Sequence, residues 1–411
     1  MNTTNFRRTK LTCYFTYPAL ASIFFLPPIL FYTFRQMYGI SYTLLGTLVL
    51  VNFCTQMVVD LIFTFFSKHF NPHKTIRTMP LLTAVGLVAY AVIPWLFPQC
   101  AYIGLLIGTF IFSVSAGLCE VLLSPTVAAL PSDNPERDMS TLHSLYGYGA
   151  AGVVVVSTVF LQVFGTENWM YLTLLLAILP VICFILFQIS PLPEFPVSQT
   201  TTAESSKKKR TGLILCAACI FLGSAAENTM SNWISVYMES ALRLPKLLGD
   251  TLGLTCFTLL LAFTRTWYAK YGKNIFKTLM LGMIGAVICY IAAGVSSSAV
   301  VAIVACMLTG LCTSMLWPGT LILMEDRFPN PGVAAYALMA VGGDFGASVA
   351  PQGMGMIVDG VTASSWASAL GEKLSLTAEQ IGMKTGMLAG ALFPIFGICI
   401  LLCMKKYLYR K

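Results

Sequence analysis

Long apolar stretches dominate the chain, and polar residues fall between them in short, regularly spaced clusters. The first apolar run extends from Leu11 to about Tyr32, behind Arg7, Arg8 and Lys10. It is longer than the apolar part of a secretory signal and has no small-residue cleavage site, so it reads as a retained membrane helix. A helix needs about 20 apolar residues to cross a bilayer core. With Gly, Pro and charge clusters as breaks, twelve such runs follow one another. They lie near 14–34, 43–66, 78–97, 102–127, 139–164, 169–189, 212–237, 248–269, 276–296, 299–324, 333–358 and 381–404. Backbone polar groups in lipid must be satisfied internally, so runs of this length form helices. The alternating segments of about ten residues that build a membrane β-barrel are absent. The pattern predicts an all-α membrane protein with twelve transmembrane helices.

Composition agrees with this picture. Of 411 residues, 57% are hydrophobic and 10% charged, whereas soluble domains are about a quarter charged. Too few charges exist to coat soluble domains, which argues against a soluble enzyme, a nucleic-acid-binding protein and a disordered chain. The net charge of +8 is explained by topology. With a cytoplasmic N-terminus and twelve spans, 20 of the 25 Lys and Arg residues fall in cytoplasmic segments, where positive loops are retained. Arg35, Arg243, Lys246, Lys373 and Lys384 fall outside. The 13 cysteines are scattered through apolar runs, where Cys behaves as a small hydrophobe. No metal-ligand spacing, phosphate-binding loop or catalytic set emerges. No cofactor, metal or nucleic-acid partner is expected.

The longest polar stretch, near 191–211, ends in Lys207-Lys208-Lys209-Arg210 and reads as a cytoplasmic linker. It separates a six-helix bundle over 1–190 from a second over 212–411. An internal echo supports the division. Gly117-Leu118-Cys119 precedes Pro125 in the fourth span, and Gly310-Leu311-Cys312 precedes Pro318 in the tenth, at the same spacing. Phe65-Phe66-Ser67-Lys68 and Trp267-Tyr268-Ala269-Lys270 relate the second span to the eighth. Duplicated halves are the plan of secondary transporters, with a substrate site between the repeats near the midplane.

Further motifs carry a resemblance. They are Asn52-Phe53-Cys54-Thr55-Gln56 with Asp60, Glu120 with Ser124-Pro125, and Leu142-His143-Ser144-Leu145-Tyr146-Gly147. Trp317-Pro318-Gly319-Thr320 and Gly342-Gly343-Asp344-Phe345-Gly346 complete the set. Together the chain resembles the major facilitator superfamily, and within it the fucose/glucose permease-like branch and its uncharacterised bacterial relatives. The resemblance implies the major facilitator fold of two pseudo-symmetric bundles, a bacterial inner (plasma) membrane location and a monomer. It also has gaps. No Asp or Glu precedes Asp60, so a first-span coupling acid cannot be carried over. The loop after the second span, Ser67-Lys68-His69-Phe70-Asn71, lacks the acid and the Gly of the superfamily motif.

Charges inside a bilayer cost at least about 2.5 kcal/mol each and are functional candidates by default. Glu120, Glu227 and Asp344 lie deep in their spans, and no Lys or Arg is expected at comparable depth. A buried carboxylate without a cation can take up and release a proton as access alternates, so these three are the expected proton-coupling residues. Glu120 matches the fourth-span acid of the permease branch. Asn52 and Gln56 share a helix face, as do Asn228 and Asn232, and with Trp233 they suit a hydroxyl-rich neutral ligand. His143, Tyr146 and Trp317 complete the expected substrate-binding set with the three acids. Packing readings compete for several: interhelical glue for Glu227 and Asn228, pairing with a polar neighbour at the contact of the halves for Asp344, a gate or cap for His143, a lipid-facing or packing position for Trp317. Asp60, Lys68 and Arg265 are expected at gates. The reading is a proton-coupled symporter of a small polar neutral solute, a sugar or polyol. The alternative is a proton-coupled antiporter exporting cationic or amphipathic compounds. The expected partners are substrate, protons and membrane lipids.

Overall fold

The computed structural model describes residues 6–66, 69–133, 135–194, 207–328 and 333–408. Among these, helices form every regular element except for short turns. Six helices come first: α1 (Arg7–Tyr38), α2 (Tyr42–Phe66), α3 (Pro72–Leu96), α4 (Ala101–Ala128), α5 (Pro135–Phe164) and α6 (Trp169–Ile189). Then follow α7 (Lys207–Val236), α8 (Lys246–Tyr271), α9 (Ile275–Val295), α10 (Ala299–Arg327) and α11 (Val333–Thr362). A short helix, α12 (Ser365–Leu374), leads to α13 (Ala378–Tyr407). Eleven of the described helices are long and apolar enough to cross a membrane. The remaining expected span, α11, is 30 residues long but diluted by Asp344, Asp359 and repeated glycines. Twelve spans is thus the number the elements support. The basic run at Lys207 begins α7 instead of closing a loop.

The chain forms two compact units. The first comprises Met1–Thr33 and Cys54–Gln199, the second Phe34–Phe53 and Thr200–Lys411. The end of α1 and the start of α2 therefore pack with the second unit. Gly39, at φ +64°, ends α1 in the left-handed conformation that glycine adopts without strain, and its N–H donates to the Arg35 carbonyl at 3.0 Å.

Within the first unit α3 packs along α4 and α6. The start of α1 is tied to the end of α6: Arg8 Nη1 donates to the Ile189 carbonyl at 3.1 Å, and the Thr9 hydroxyl donates to the Pro191 carbonyl. Asp138, just before the membrane part of α5, pairs with Lys10 and accepts from Ser132 at 2.6 Å and Tyr14 at 3.2 Å. In the second unit α7 lies against α11 and α13, and α9 against α10.

The repeated glycines occupy equivalent positions. A Cβ on Gly117 of α4 would sit 2.9 Å from Val59 Cβ and 3.1 Å from the Gln56 carbonyl of α2. A Cβ on Gly310 of α10 would sit 2.3 Å from the Phe257 carbonyl of α8. In each unit the fourth helix meets the second through the same glycine, so the sequence echo marks a shared contact. Small residues let membrane helices approach backbone to backbone, where dispersion replaces the hydrophobic drive.

Two outcomes follow. Gly310→Leu should abolish the folded protein, whereas Gly353→Ala, in open space, should be tolerated. Size-exclusion profiles in detergent report both. The second concerns pH. The Lys10 ammonium, and next the Ser132 hydroxyl, hold the Asp138 carboxyl below its usual range. Its stabilisation is then complete above about pH 4, the unfolded value, and is lost as pH falls through the lower folded value. Lys10→Gln should lower the thermal midpoint at neutral pH by less than about 1 kcal/mol equivalent. The gap to wild type should close in acid.

Candidate functional site

In the first unit, the sequence-predicted His143 and Tyr146 meet on Tyr17 of α1, which is also an electrostatic neighbour of Glu120. Pro18 lies within α1 against α5, and a Cβ on Gly149 of α5 would fall 2.5 Å from Pro18 Cα. That close approach brings Tyr17 onto the start of α5. Its ring meets His143 edge-on at 5.5 Å between centroids and Tyr146 at 6.4 Å. Its hydroxyl is 3.3 Å from Ser124 Oγ on α4. Phe24 and Phe25 flank Tyr146 at 6.0 and 6.2 Å. Glu120, one turn before Ser124, is an electrostatic neighbour of Tyr17. Its side chain is exposed. The exposed stripe of Ile103, Ile107 and Phe110 marks the outward face of α4. Glu120, ten residues past Phe110, is turned about 80° from that stripe, toward α1. It takes part in no ion pair among the described residues. Gln56 and Asp60 of α2 are buried in this unit, Gln56 at 1% exposure. Asn52, one turn earlier, is buried but packs with the second unit. Lys68 lies outside the described residues.

In the second unit the expectation that no base reaches the depth of the acids is overturned. Arg265 Nη2 of α8 lies 3.2 and 3.3 Å from the two carboxylate oxygens of Glu227, and its Nε donates to the Ser314 carbonyl at 2.9 Å. The Arg guanidinium is held by the Glu227 carboxylate and the Ser314 carbonyl, which meet its charge away from water, where an unpartnered Arg would instead snorkel toward the interface. Ser314 is the point where α10 turns before Trp317-Pro318, which leaves its carbonyl available. The residue expected at a gate is therefore the partner of a deep acid.

The amides are partly committed. Asn228 Nδ2 donates to the Ser224 carbonyl at 3.1 Å, and Asn232 Nδ2 to the Asn228 carbonyl at 2.8 Å. Trp233 is fully buried, meets Tyr42 edge-on at 5.7 Å and donates from Nε1 to the Pro351 carbonyl at 3.0 Å. It offers no open ring face. Trp317 is half-buried, with Nε1 against Gly343, where a Cβ would come within 2.2 Å. Asp344, which follows Gly343 in the chain, is buried. Gly342 and Gly346, one turn apart, meet the Ala217 and Phe221 carbonyls of α7, the close packing that the glycine pattern implied.

A third cluster, also in the second unit, was not anticipated. Arg35 Nε donates to Glu379 Oε1 at 2.9 Å and stacks over Tyr42 at 4.0 Å, while the Tyr42 hydroxyl reaches the same carboxylate at 2.5 Å. Asp359 of α11 caps the N-terminus of α2, accepting from the Tyr42 and Thr43 N–H groups at 3.2 and 2.6 Å. A carboxylate there satisfies orphan donors and meets the positive end of the helix dipole. In sequence these residues are ordinary loop-edge charges.

These features are those of a membrane carrier, and the sequence agrees. The pattern of the Major Facilitator Superfamily matches residues 11–351, and the chain belongs to that superfamily. It is a secondary transporter of small molecules, embedded in a membrane by its apolar helices. Several solved structures share its fold. One is a bacterial homolog of the human lysosomal transporter Spinster, inward-facing and occupied; it is 12% identical, covers 97% of this chain and 96% of its own, and has a TM-score of 0.75. A D-xylose–proton symporter is 14% identical, covers 94% and 96%, and has a TM-score of 0.71. The E. coli fucose:proton symporter is 13% identical, covers 95% and 99%, and has a TM-score of 0.58. At such identities the likeness is one of fold. No protein of curated function matches the sequence.

The Glu227–Arg265 contact generates a prediction. Neither side chain is fully buried, at 34% and 18% exposure, so removing one partner costs less than the about 3–5 kcal/mol of a fully buried pair. Arg265→Gln should lower the detergent thermal midpoint, and Glu227→Gln on that background should recover much of the loss. Additive losses would mean that the pair is not coupled.

Proposed function

We propose that the chain is a proton-coupled symporter of a small polar neutral solute, a sugar or polyol. The observation that carries this reading is the Glu120 carboxylate. It is exposed within its span and unpaired with any cation among the described residues; it is an electrostatic neighbour of Tyr17, whose hydroxyl meets Ser124 and whose ring meets His143 and Tyr146. Hydroxyls and an imidazole give a polyol donors and acceptors, and aromatic faces cover its C–H surfaces. A carboxylate without a cation is the group whose charge must be cancelled before it enters a closed, dry state. Binding a proton does so. Glu227 is already compensated by Arg265, so it serves substrate positioning or bundle integrity better than proton exchange. Asn52, Gln56, Trp317 and Asp344 remain in the proposed substrate set.

The six-plus-six division at 191–211 and alternating access by its two bundles belong to this reading. Cytoplasmic termini, an inner-membrane location and a monomer do too. A second reading has an observation of its own. Tyr17, Tyr146, Phe24 and Phe25 around an unpaired acid would also suit an organic cation, and hence proton-driven export.

Proteoliposomes with an imposed pH gradient separate the two. With labelled hexoses, pentoses and polyols, wild type should accumulate one class when the outside is acidic. Glu120→Gln should lose accumulation yet retain solute exchange. Accumulation that survives in Glu120→Gln would remove that residue from coupling. Cation efflux driven by inward protons, with no sugar uptake, would favour the second reading.

A further inference from the structure

Between α11 and α13 the second unit carries a helix, α12 (Ser365–Leu374), that transport through Glu120 does not use. It is held at both ends. Ser364 Oγ accepts from the Ala367 N–H at 3.4 Å, the cap that starts the helix. At the other end Ser375 takes the left-handed conformation, at φ +55°, and the Leu376 N–H donates back to the Gly371 carbonyl at 2.9 Å. Thr377 then caps α13, its hydroxyl accepting from the Gln380 N–H at 3.2 Å, and Gln380 Nε2 donates to the Ala241 carbonyl of the same unit at 2.9 Å.

Successive helical residues are turned by about 100°, and α12 presents three faces. Ala367 and Gly371, one turn apart, are buried against the unit. Trp366, Leu370 and Leu374 form a stripe, and they are 50%, 37% and 55% exposed. Ser365, Ser368 and Glu372, exposed as well, lie about 180° from that stripe, and Lys373 flanks it. A helix lying between protein and water turns polar residues to the solvent. Here the free surface is divided between an apolar stripe and a polar one.

The position of the helix says what meets the stripe. The apolar span α13 has 30 residues and rises about 45 Å, the thickness of a bilayer with its headgroups. Its first turn therefore lies at headgroup level. Only Ser375, Leu376 and Thr377 separate it from α12, a link of at most about 14 Å, and the turn at Ser375 folds that link back. At this level Trp rings are enriched, Leu enters the acyl boundary and Lys reaches the headgroups.

We propose that α12 lies in the membrane interface, with Trp366, Leu370 and Leu374 set among the acyl chains and Ser365, Ser368 and Glu372 in water. Bilayer lipid is the partner of the stripe. The helix thereby fixes to the membrane surface the segment that carries Asp359 before it and Glu379 after it, the acids that cap α2 and hold Arg35. The inference stands apart from the symport reading, since neither solute nor proton movement is needed to detect it.

The test is depth-dependent quenching of Trp366 in the full chain, reconstituted in phosphatidylcholine vesicles. The chain has six Trp residues, so the emission difference between wild type and Trp366→Phe isolates this ring. That emission should fall most with lipid brominated near the headgroup end of its acyl chains, less with lipid brominated near the chain ends, and little with iodide on both sides. Quenching by iodide and by neither lipid would put the stripe in water and overturn the proposal. Quenching by none of the three would mean that protein covers the ring, a second copy included, and would overturn it too. Stronger quenching from the chain ends would place the ring in the hydrocarbon core, against an interfacial helix. A second measurement needs no Trp366 variant. In lipid nanodiscs Leu370→Glu should lower the thermal midpoint, while Ser368→Glu should leave it unchanged; equal midpoints for the two would overturn the proposal.

Discussion

A charge inside a bilayer must be cancelled, and much of this molecule's polar architecture is a set of answers to that demand. Water cannot solvate a carboxylate held among apolar helices, so the group finds a cation, a ring of donors or a proton. Glu227 has Arg265. Glu379 has Arg35 and Tyr42, and Asp359 has the N-terminus of α2. Glu239 and Asp250 divide Lys246 between them. Glu120, exposed beside aromatic and hydroxyl groups, has no cation partner among the described residues. The difference between Glu120 and Glu227 separates a group suited to exchange protons from one suited to hold helices together.

The same solvent explains how the helices meet. Lipid tails are as apolar as leucine, so burial alone does not drive one membrane helix onto another. Close approach does, and it requires positions without side chains. Gly310 on Phe257, Gly117 on Val59 and Gly346 on the Phe221 carbonyl are such positions. Gly149 on Pro18 has a further consequence, because it brings Tyr17 within reach of His143 and Tyr146. Packing at a glycine thereby sets the geometry of the candidate site.

The fold was largely legible because hydropathy is a local property. Each span could be recognised from its own residues, and only α11, thinned by glycines and two acids, falls short on apolarity. The superfamily followed from short motifs around Glu120, His143 and Trp317. The site was legible only in part. Glu120, His143 and Tyr146 could be nominated because a charge or a polar ring in an apolar run stands out. Tyr17 could not, since one aromatic among many in α1 carries no mark. The reach of Arg265 is not legible in sequence, because a Cα near the end of a span says little about where a long side chain ends. Glu239, Lys246 and Asp250 looked like ordinary charges at a helix junction. Only the π-helical turns Tyr237–Ala241 and Gly249–Thr255, which fold them inward, make them one cluster.

By itself, then, the order of residues determined the solvent of this protein and the number of its spans, and it singled out acids such as Glu227 and Asp344 within them. These depend on composition over windows of about 20 residues, which the bilayer reads directly. Tertiary structure alone decided which acids are compensated. A carboxylate's partner can lie 38 residues away, as Arg265 does from Glu227, or 317, as Tyr42 does from Asp359. Over a few ångströms, pairing depends on where helices cross and how far side chains reach, and no local pattern encodes either.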